Sequence, residues 1–405
     1  MPLSLNDVDL FSPEFKQQSY QLYKKLRQDQ PVFPFKLPTG KQAWLVTKHE
    51  DALNMFKSSK IVKDFKNVNE GEGDYFLENG AYLGENMLSS DPPDHTRLRK
   101  LVSKAFTPKM IAQLEDDIQA VTDRLLAPVK EKGHMDAISD FALPLPIIVI
   151  SNMLGIPEKD RDAFHDWSAV IVESANDQSR IVENQNTINA FITYIRDLVD
   201  EKRQHPDDRL ISLMIDAHDE GDRLSEQELI ATIFLLIVAG HETTVNLIAN
   251  GLYALFQHPE QMIRLRQNPD LMENAIEEML RYHGPVEIAP IRYAAEAMDW
   301  HGQQMERGDA IFISLAAVNR DPDVYDNPDQ FDIARENIKH FAFGKGIHFC
   351  LGAPLARLEA KVAFRTLLSE FSDLSLSVPD DEMKWRPGMM MRGLEALPVD
   401  LRQQS

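Results

Sequence analysis

The chain has 405 residues, and an apolar share of 43% is enough to build a large core. Its formal charge of −21 argues against broad nucleic-acid binding and disfavours anionic membrane surfaces. A single cysteine excludes an intramolecular disulfide framework and fits a reducing compartment.

The first segment, MPLSLNDVDLFSPEFKQQ, has neither the basic region nor the apolar region of a secretory leader. The longest apolar run, residues 230–240, is too short to span a bilayer. A cytoplasmic protein with no membrane anchor is therefore expected. Helical periodicity covers 14–30, 48–58, 94–107, 109–132, 141–154, 158–175, 182–203, 208–218, 226–257, 259–267, 270–282 and 353–370. Short β-like pieces lie at 42–47, 290–296 and 310–316, and the part after Phe371 is Pro-rich and reads as irregular. No repeat, low-complexity segment or linker divides the chain. The expectation is one domain, 1–405, mainly α with a small β region.

Four segments carry chemistry. The first is DPPDHTRLRKLVSKAF, 91–106. On a helical wheel Leu98, Leu101, Val102, Ala105 and Phe106 form an apolar arc, with His95 and Arg99 within or beside it. A cation turned toward a core needs an anion there. Arg97, Lys100 and Lys104 fall on the opposite face, as a solvated face or a dock for an acidic partner.

The second is the long helix predicted from Ser225, whose SEQE reads as a capping box and whose end is marked by His258-Pro259. Its middle is apolar on nearly every side and so belongs in the core. There stands AGHETT, 239–244. Thr243 can bond back to the Ala239 carbonyl, and Gly240 leaves room for something to pack closely. An acid and an alcohol in that setting suit proton delivery, or a polar kink satisfied by water. The third segment, EEMLRY, sets Glu278 and Arg281 at i, i+3, a common pair that says little alone.

The fourth, FAFGKGIHFCLGAPLAR, 341–357, holds the cysteine. Gly344, Gly346 and Gly352 permit tight bending or the close approach of a planar group. Cys350 stands just before a predicted helix, whose free N–H groups favour a thiolate. That thiolate would be a nucleophile or a metal ligand; a small buried thiol with no task is the bland alternative.

Together the segments resemble the cytochrome P450 monooxygenases. The resemblance rests on Phe343, Gly346, Cys350 and Gly352 in F-x-x-G-x-x-x-C-x-G, on AGHETT about 110 residues earlier, and on Glu278-x-x-Arg281 between them. It covers almost the whole chain, and the order, spacing and length are similar to soluble bacterial members that oxidise macrolides and related polyketides.

The resemblance implies a haem b cofactor with Cys350 as its axial thiolate ligand, bedded by Phe343, Gly344 and Gly352. It places His95, Arg99, Arg292 and His348 at the haem propionates, which agrees with the wheel. Ala239 and Gly240 would leave room for dioxygen beside the haem, and Glu242 and Thr243 match the acid–alcohol pair that supplies protons. Glu278, Arg281 and Arg335 match a structural ion-pair cluster.

Substrate contacts would come from Leu83 and Met87 in the 75–88 loop, Val238, Ala239, Val286, Ile288, Ala289, Met390 and Met391, with 165–200 as a lid. One cysteine cannot hold an iron–sulfur cluster, so electrons would come from a separate ferredoxin or flavodoxin fed by an NAD(P)H-dependent reductase. Arg97, Lys100 and Lys104, with Lys345, are the candidate docking residues. The implied reaction inserts one atom of O2 into a C–H bond of a hydrophobic molecule: polyketide- or macrolide-like, a steroid or a fatty acid. The alternatives are an H2O2-dependent peroxygenase, a haem-thiolate sensor without turnover, and a zinc hydrolase built on His340, His348 and Cys350.

Overall fold

The computed structural model describes residues 10, 12–37, 39–68, 86–176, 183–219 and 221–403. Its longest helix is Glu226–Gln257. The capping box forms: Ser225 Oγ accepts from the Glu228 amide at 3.2 Å, and Glu228 Oε2 accepts from the Ser225 amide at 2.8 Å. The helix is buried on most sides and packs against Pro144–Leu154, Met272–Tyr282 and Ala353–Glu370. Among the described residues two helical stretches, Ala137–Leu154 and Glu226–Gln257, are long and apolar enough to cross a membrane. More than half of each lies inside the fold, so their apolar surface forms the core.

The predicted helices appear with small shifts, with one break. The 109–132 segment divides into Pro108–Ala112 and Glu115–Lys132. Thr107 caps the first, and Glu115, Asp116 and Asp117 place negative charge on the N-terminal turn of the second.

A five-stranded sheet runs in the order Val32–Lys36, Gln42–Val46, Ala310–Ile313, Arg292–Ala294, Ile61–Val62. Ala310–Ile313 lies parallel to Gln42–Val46, with Ala310 opposite Ala43. Val32–Lys36 was not expected as a strand because Pro34 interrupts it; as an edge strand it tolerates a residue without an N–H. The C-terminal part corrects the expectation of irregular chain. Phe371–Leu376 pairs antiparallel with Pro398–Gln403, which pairs in turn with His134–Asp136. Between those two strands the chain forms a hairpin, 385–394, closed by the Trp385–Leu394 bridge and by the Arg386 amide donating to the Gly393 carbonyl at 2.8 Å.

Two buried charge clusters fasten distant segments. Arg281 Nε and Nη2 each lie 2.7 Å from a Glu278 oxygen, and Arg335 Nε is 3.2 Å from Glu278 Oε1. The two arginines spend their other donors on the carbonyls of Asn319, Asp326, Asn327, Pro328 and Gln330, so this one carboxylate organises the loop that leads to the cysteine segment. In the second, Lys16 Nζ lies 2.6 Å from Glu287 Oε2 and 2.8 Å from the Met391 carbonyl, tying the N-terminal helix Pro13–Asp29 to the C-terminal hairpin.

Candidate active site

The cysteine loop is built from short-range constraints. The Cys350 amide donates to the Phe343 carbonyl at 2.9 Å, closing the loop over Gly344 and Gly346, both at positive φ. At Gly346 a Cβ would come within 2.8 Å of the Phe56 carbonyl, so the close approach itself requires glycine. The helix Ala353–Glu370 starts just beyond, and the N–H groups of Gly352 and Ala353 point at Cys350 Sγ. The cysteine is open to solvent on one side yet set deep among protein atoms. Burial raises its pKa; the Gly352 amide, Arg99, the Ala353 amide and Arg357 oppose that rise and favour the thiolate. Phe343 lies under the Arg357 guanidinium at 4.5 Å and near Phe349 at 6.3 Å.

Around this thiol stand basic side chains with no ion-pair partner among the described residues. His95 is buried on the helix Asp94–Ala105, and Arg99 is half-buried one turn on, as the wheel implied. Arg292 is buried with its guanidinium over the Phe56 ring at 4.5 Å, and its Nη1 donates to the Pro290 carbonyl at 2.9 Å. The His95 and His348 rings face each other at 4.2 Å, and neither ring has a hydrogen-bond partner at either nitrogen. Burial, then repulsion from Lys63, His95, Arg292 and Arg99, brings His348 down to about 3; burial lowers Arg292 to about 10 against the pull of Asp91.

Lys63 was not singled out in the sequence. It is buried, its Nζ bonds only the Ile291 carbonyl at 3.2 Å, and burial beside Arg292 lowers its pKa well below the usual lysine value. The signal was present: Ile61 and Lys63, two apart on an extended segment, share a face. Asp91 accepts the backbone N–H groups of Lys63 and Asp64, holding this segment against the start of the His95 helix. A cluster of orphaned cations beside a thiolate fits a planar metal-bearing group with two carboxylates.

On the long helix Thr243 Oγ1 donates to the Ala239 carbonyl at 2.7 Å. Ala239 and Gly240 are exposed in mid-helix, and a Cβ at Gly240 would meet nothing within 4 Å. Glu242 is half-buried and its Oε1 lies 3.3 Å from Arg386 Nη2. Bonded to Thr244, the residue after this pair, is a second acid that the sequence reading passed over. Glu359 is buried on the helix Ala353–Glu370 and bonded to Thr244; burial raises it to about 8, the Thr244 bond opposing the rise.

Of the candidate substrate residues, Met87 packs with Leu98 and Val102 against Leu235 and Leu351, joining the long helix to the cysteine segment. Val238, Val286 and Met391 are half-buried and Met390 is exposed. Ile288 and Ala289 are buried in the apolar clusters of the sheet region instead. Leu83 lies outside the described residues, as does part of the 165–200 segment. Arg97 is not a free surface cation: it pairs with Glu228 and Asp222. Lys100 and Lys104 are exposed. Lys57, Lys339, Lys345 and Arg357 instead line a cleft of about 470 Å³ with His49, Phe343 and Phe349, next to the cysteine loop. Among the described residues no three His, Cys, Asp or Glu side chains converge on a metal site, and His340 is bonded to Glu277.

The family model for cytochrome P450 matches residues 8–396, and the chain belongs to that family. A cytochrome P450 of Bacillus subtilis is 48% identical over 397 residues, 98% of this chain and 97% of that protein. The solved structure of the Bacillus subtilis bacillaene polyketide synthase cytochrome P450 PksS has a TM-score of 0.92 and 40% identity, covering 98% of this chain and 100% of that one. The 6-deoxyerythronolide B hydroxylase of Saccharopolyspora erythraea is 38% identical over 404 residues, 97% of this chain and 98% of that protein. The chain is thus a P450 monooxygenase, an oxidoreductase of single-domain P450 fold.

Proposed function

We propose that this enzyme hydroxylates a polyketide- or macrolide-like molecule in the cytoplasm, using electrons from a separate ferredoxin or flavodoxin and its NAD(P)H-dependent reductase. The observation that carries the reading is the orphaned cation cluster beside a thiol that accepts two helix-start N–H groups. Cys350 Sγ would bind the iron of haem b, and Lys63, His95, Arg99, Arg292 and His348 would face its carboxylates. When bound, that group supplies the activation of dioxygen and the oxidation of the C–H bond.

The chain's residues do the rest. The Gly352 and Ala353 amides spread the charge on Sγ. Thr243 Oγ1–H donates a hydrogen bond to the Ala239 carbonyl, so the lone pairs of Oγ1 are turned outward to accept another. Glu242 is the acid that refills that relay. Met390, Met391, Val286, Val238 and Met87 would bound an adaptable apolar site. Relatives named for polyketide synthesis and 6-deoxyerythronolide B hydroxylation support this substrate class.

The electron donor would dock over the cleft of Lys57, Lys339, Lys345 and Arg357, which adjoins the cysteine loop; the Lys100–Lys104 face is the second candidate. The test is the absorption spectrum of reduced protein with carbon monoxide. A strongly red-shifted Soret band, lost in Cys350→Ala, is expected. A band that survives the substitution overturns the ligand assignment.

A further inference from the structure

The acid Glu242 does not stand alone on its helix. Glu242, Asn246 and Asn250 are four residues apart and share one face. All three meet the C-terminal hairpin 385–394. Arg386 Nη2 lies 2.7 Å from Asn246 Oδ1 and 3.3 Å from Glu242 Oε1, and Asn250 Nδ2 donates to the Arg392 carbonyl at 2.9 Å. A side chain at Gly393 would collide with Asn246 Oδ1 and with Arg386 Nη2, so the hairpin is glycine where the guanidinium and the amide lie against it. The other strand of the hairpin is held by the segment before the sheet: the Glu287 and Ile288 amides donate to the Met390 carbonyl at 2.8 and 3.2 Å, and the Arg392 amide donates to Pro285 at 2.8 Å.

Two donors in this contact are left over. Arg386 Nε and Asn246 Nδ2 are buried without a hydrogen-bond partner. Unpaired buried donors are costly, and a carboxylate with two acceptor oxygens is the group that relieves them. An ionised Glu242 is therefore drawn toward the hairpin. The tip of the same hairpin carries Met390 and Met391, one exposed and one half-buried.

We propose that Arg386 is a positioning residue for Glu242: it holds the carboxylate at the place from which it serves the relay, and contact of an apolar ligand with the Met390–Met391 tip shifts that hold. The chain thereby links proton supply to occupancy of the site. This rests on the reading of Glu242 as the acid of the relay.

The test uses the haem-loaded enzyme with a surrogate ferredoxin–reductase pair and a macrolactone as oxidisable probe. Product and peroxide per NAD(P)H are measured for Arg386→Gln, Arg386→Lys, Glu242→Gln and the Gln/Gln double variant. The carboxylate infrared band of isotope-labelled Glu242 is followed as macrolactone binds, without turnover. Arg386→Gln should lower product per NAD(P)H by about tenfold, a misplaced acid being worth that much or more. Macrolactone affinity should stay within about twofold, since uniform binding is not what is lost. Arg386→Lys should recover most of the coupling, and Arg386→Gln should cost nothing further in the Glu242→Gln background. The band should shift on binding in the wild type and not in Arg386→Gln.

Equal losses with and without Glu242 overturn the proposal, because Arg386 would then act elsewhere. So does full coupling in Arg386→Gln while Glu242→Gln is impaired. Full coupling in Glu242→Gln overturns the role of the acid and this proposal with it. Should Arg386→Gln fail to fold, the band decides in Arg386→Lys: a binding shift of altered size supports the contact, and one identical to wild type overturns it.

Discussion

The imidazoles of His95 and His348 lie 4.2 Å apart, and no nitrogen of either ring has a hydrogen-bond partner. One comes from the helix Asp94–Ala105 and the other from the turn before Cys350. With Lys63, Arg99 and Arg292 they form a concentration of basic side chains inside a protein of net charge −21.

Removing one lysine or arginine from this cluster should loosen the haem. For Lys63→Met or Arg292→Met, transfer of haem to a scavenger globin is expected to quicken by about tenfold, which corresponds to ~1.4 kcal/mol. The reduction potential should fall as well, because a propionate left unneutralised favours the more positively charged oxidised state of the haem. Unchanged transfer in Lys63→Met would remove Lys63 from the binding set.

Thr243→Ala should leave reductant consumption nearly intact and divert it to peroxide. A loss of product per NAD(P)H of about tenfold or more is expected for a relay group. Wild-type coupling would mean that the hydroxyl serves only the Ala239 carbonyl.

Glu278→Gln should destabilise the fold before it affects chemistry. The carboxylate meets two guanidinium groups and the Asp332 amide while fully buried, and leaving such cations uncompensated costs about 3–5 kcal/mol. Denaturant unfolding checks this. A midpoint equal to wild type would show that the carbonyls around Arg281 and Arg335 suffice.

Glu359 gives a pH dependence of definite sign. Its folded value of about 8 lies above the ordinary 4.5, so the folded state holds a proton that the unfolded state has lost. Stability therefore falls as pH rises from about 4.5 to about 8. Glu359→Gln should flatten that fall, seen as a smaller loss of melting temperature between pH 6 and pH 8 (roughly the upper half of the window). Parallel profiles for the two proteins would show the carboxyl to be ionised in the fold.

Charge reversal at Lys57, Lys339 and Lys345 should slow reduction by an acidic ferredoxin by about tenfold or more at low salt and weaken the salt dependence. The same reversal at Lys100 and Lys104 should do less. The opposite ranking would return the docking site to that helix.

What was legible in the sequence had a local cause. The long helix announced itself by SEQE and His258-Pro259, and the loop of Cys350 by its glycines. His95 and Arg99 could be assigned to the inward face because one helical wheel contains both them and the leucines. The strand Phe371–Leu376 was not legible, since its partner begins only at Pro398 and is itself held by His134–Asp136. Arg97 looked free because a wheel knows nothing of Glu228 across the gap. Arg386 and Glu242 are far apart in sequence, and nothing near either one names the other.

The parallel register of Ala310 on Ala43 has a consequence for biogenesis. The strand Gln42–Val46 leaves the ribosome early and has only Val32–Lys36 beside it until Ala310–Ile313 is synthesised. His134–Asp136 likewise waits for Pro398–Gln403, at the far end of the chain. Non-local pairings of this kind are slow and leave strand edges open to wrong partners. Cys350 emerges after Ala310–Ile313 and before Pro398–Gln403. Prosthetic-group capture is thus a late event in the life of a nascent chain, and expression yield should be limited by how long that half-assembled sheet survives.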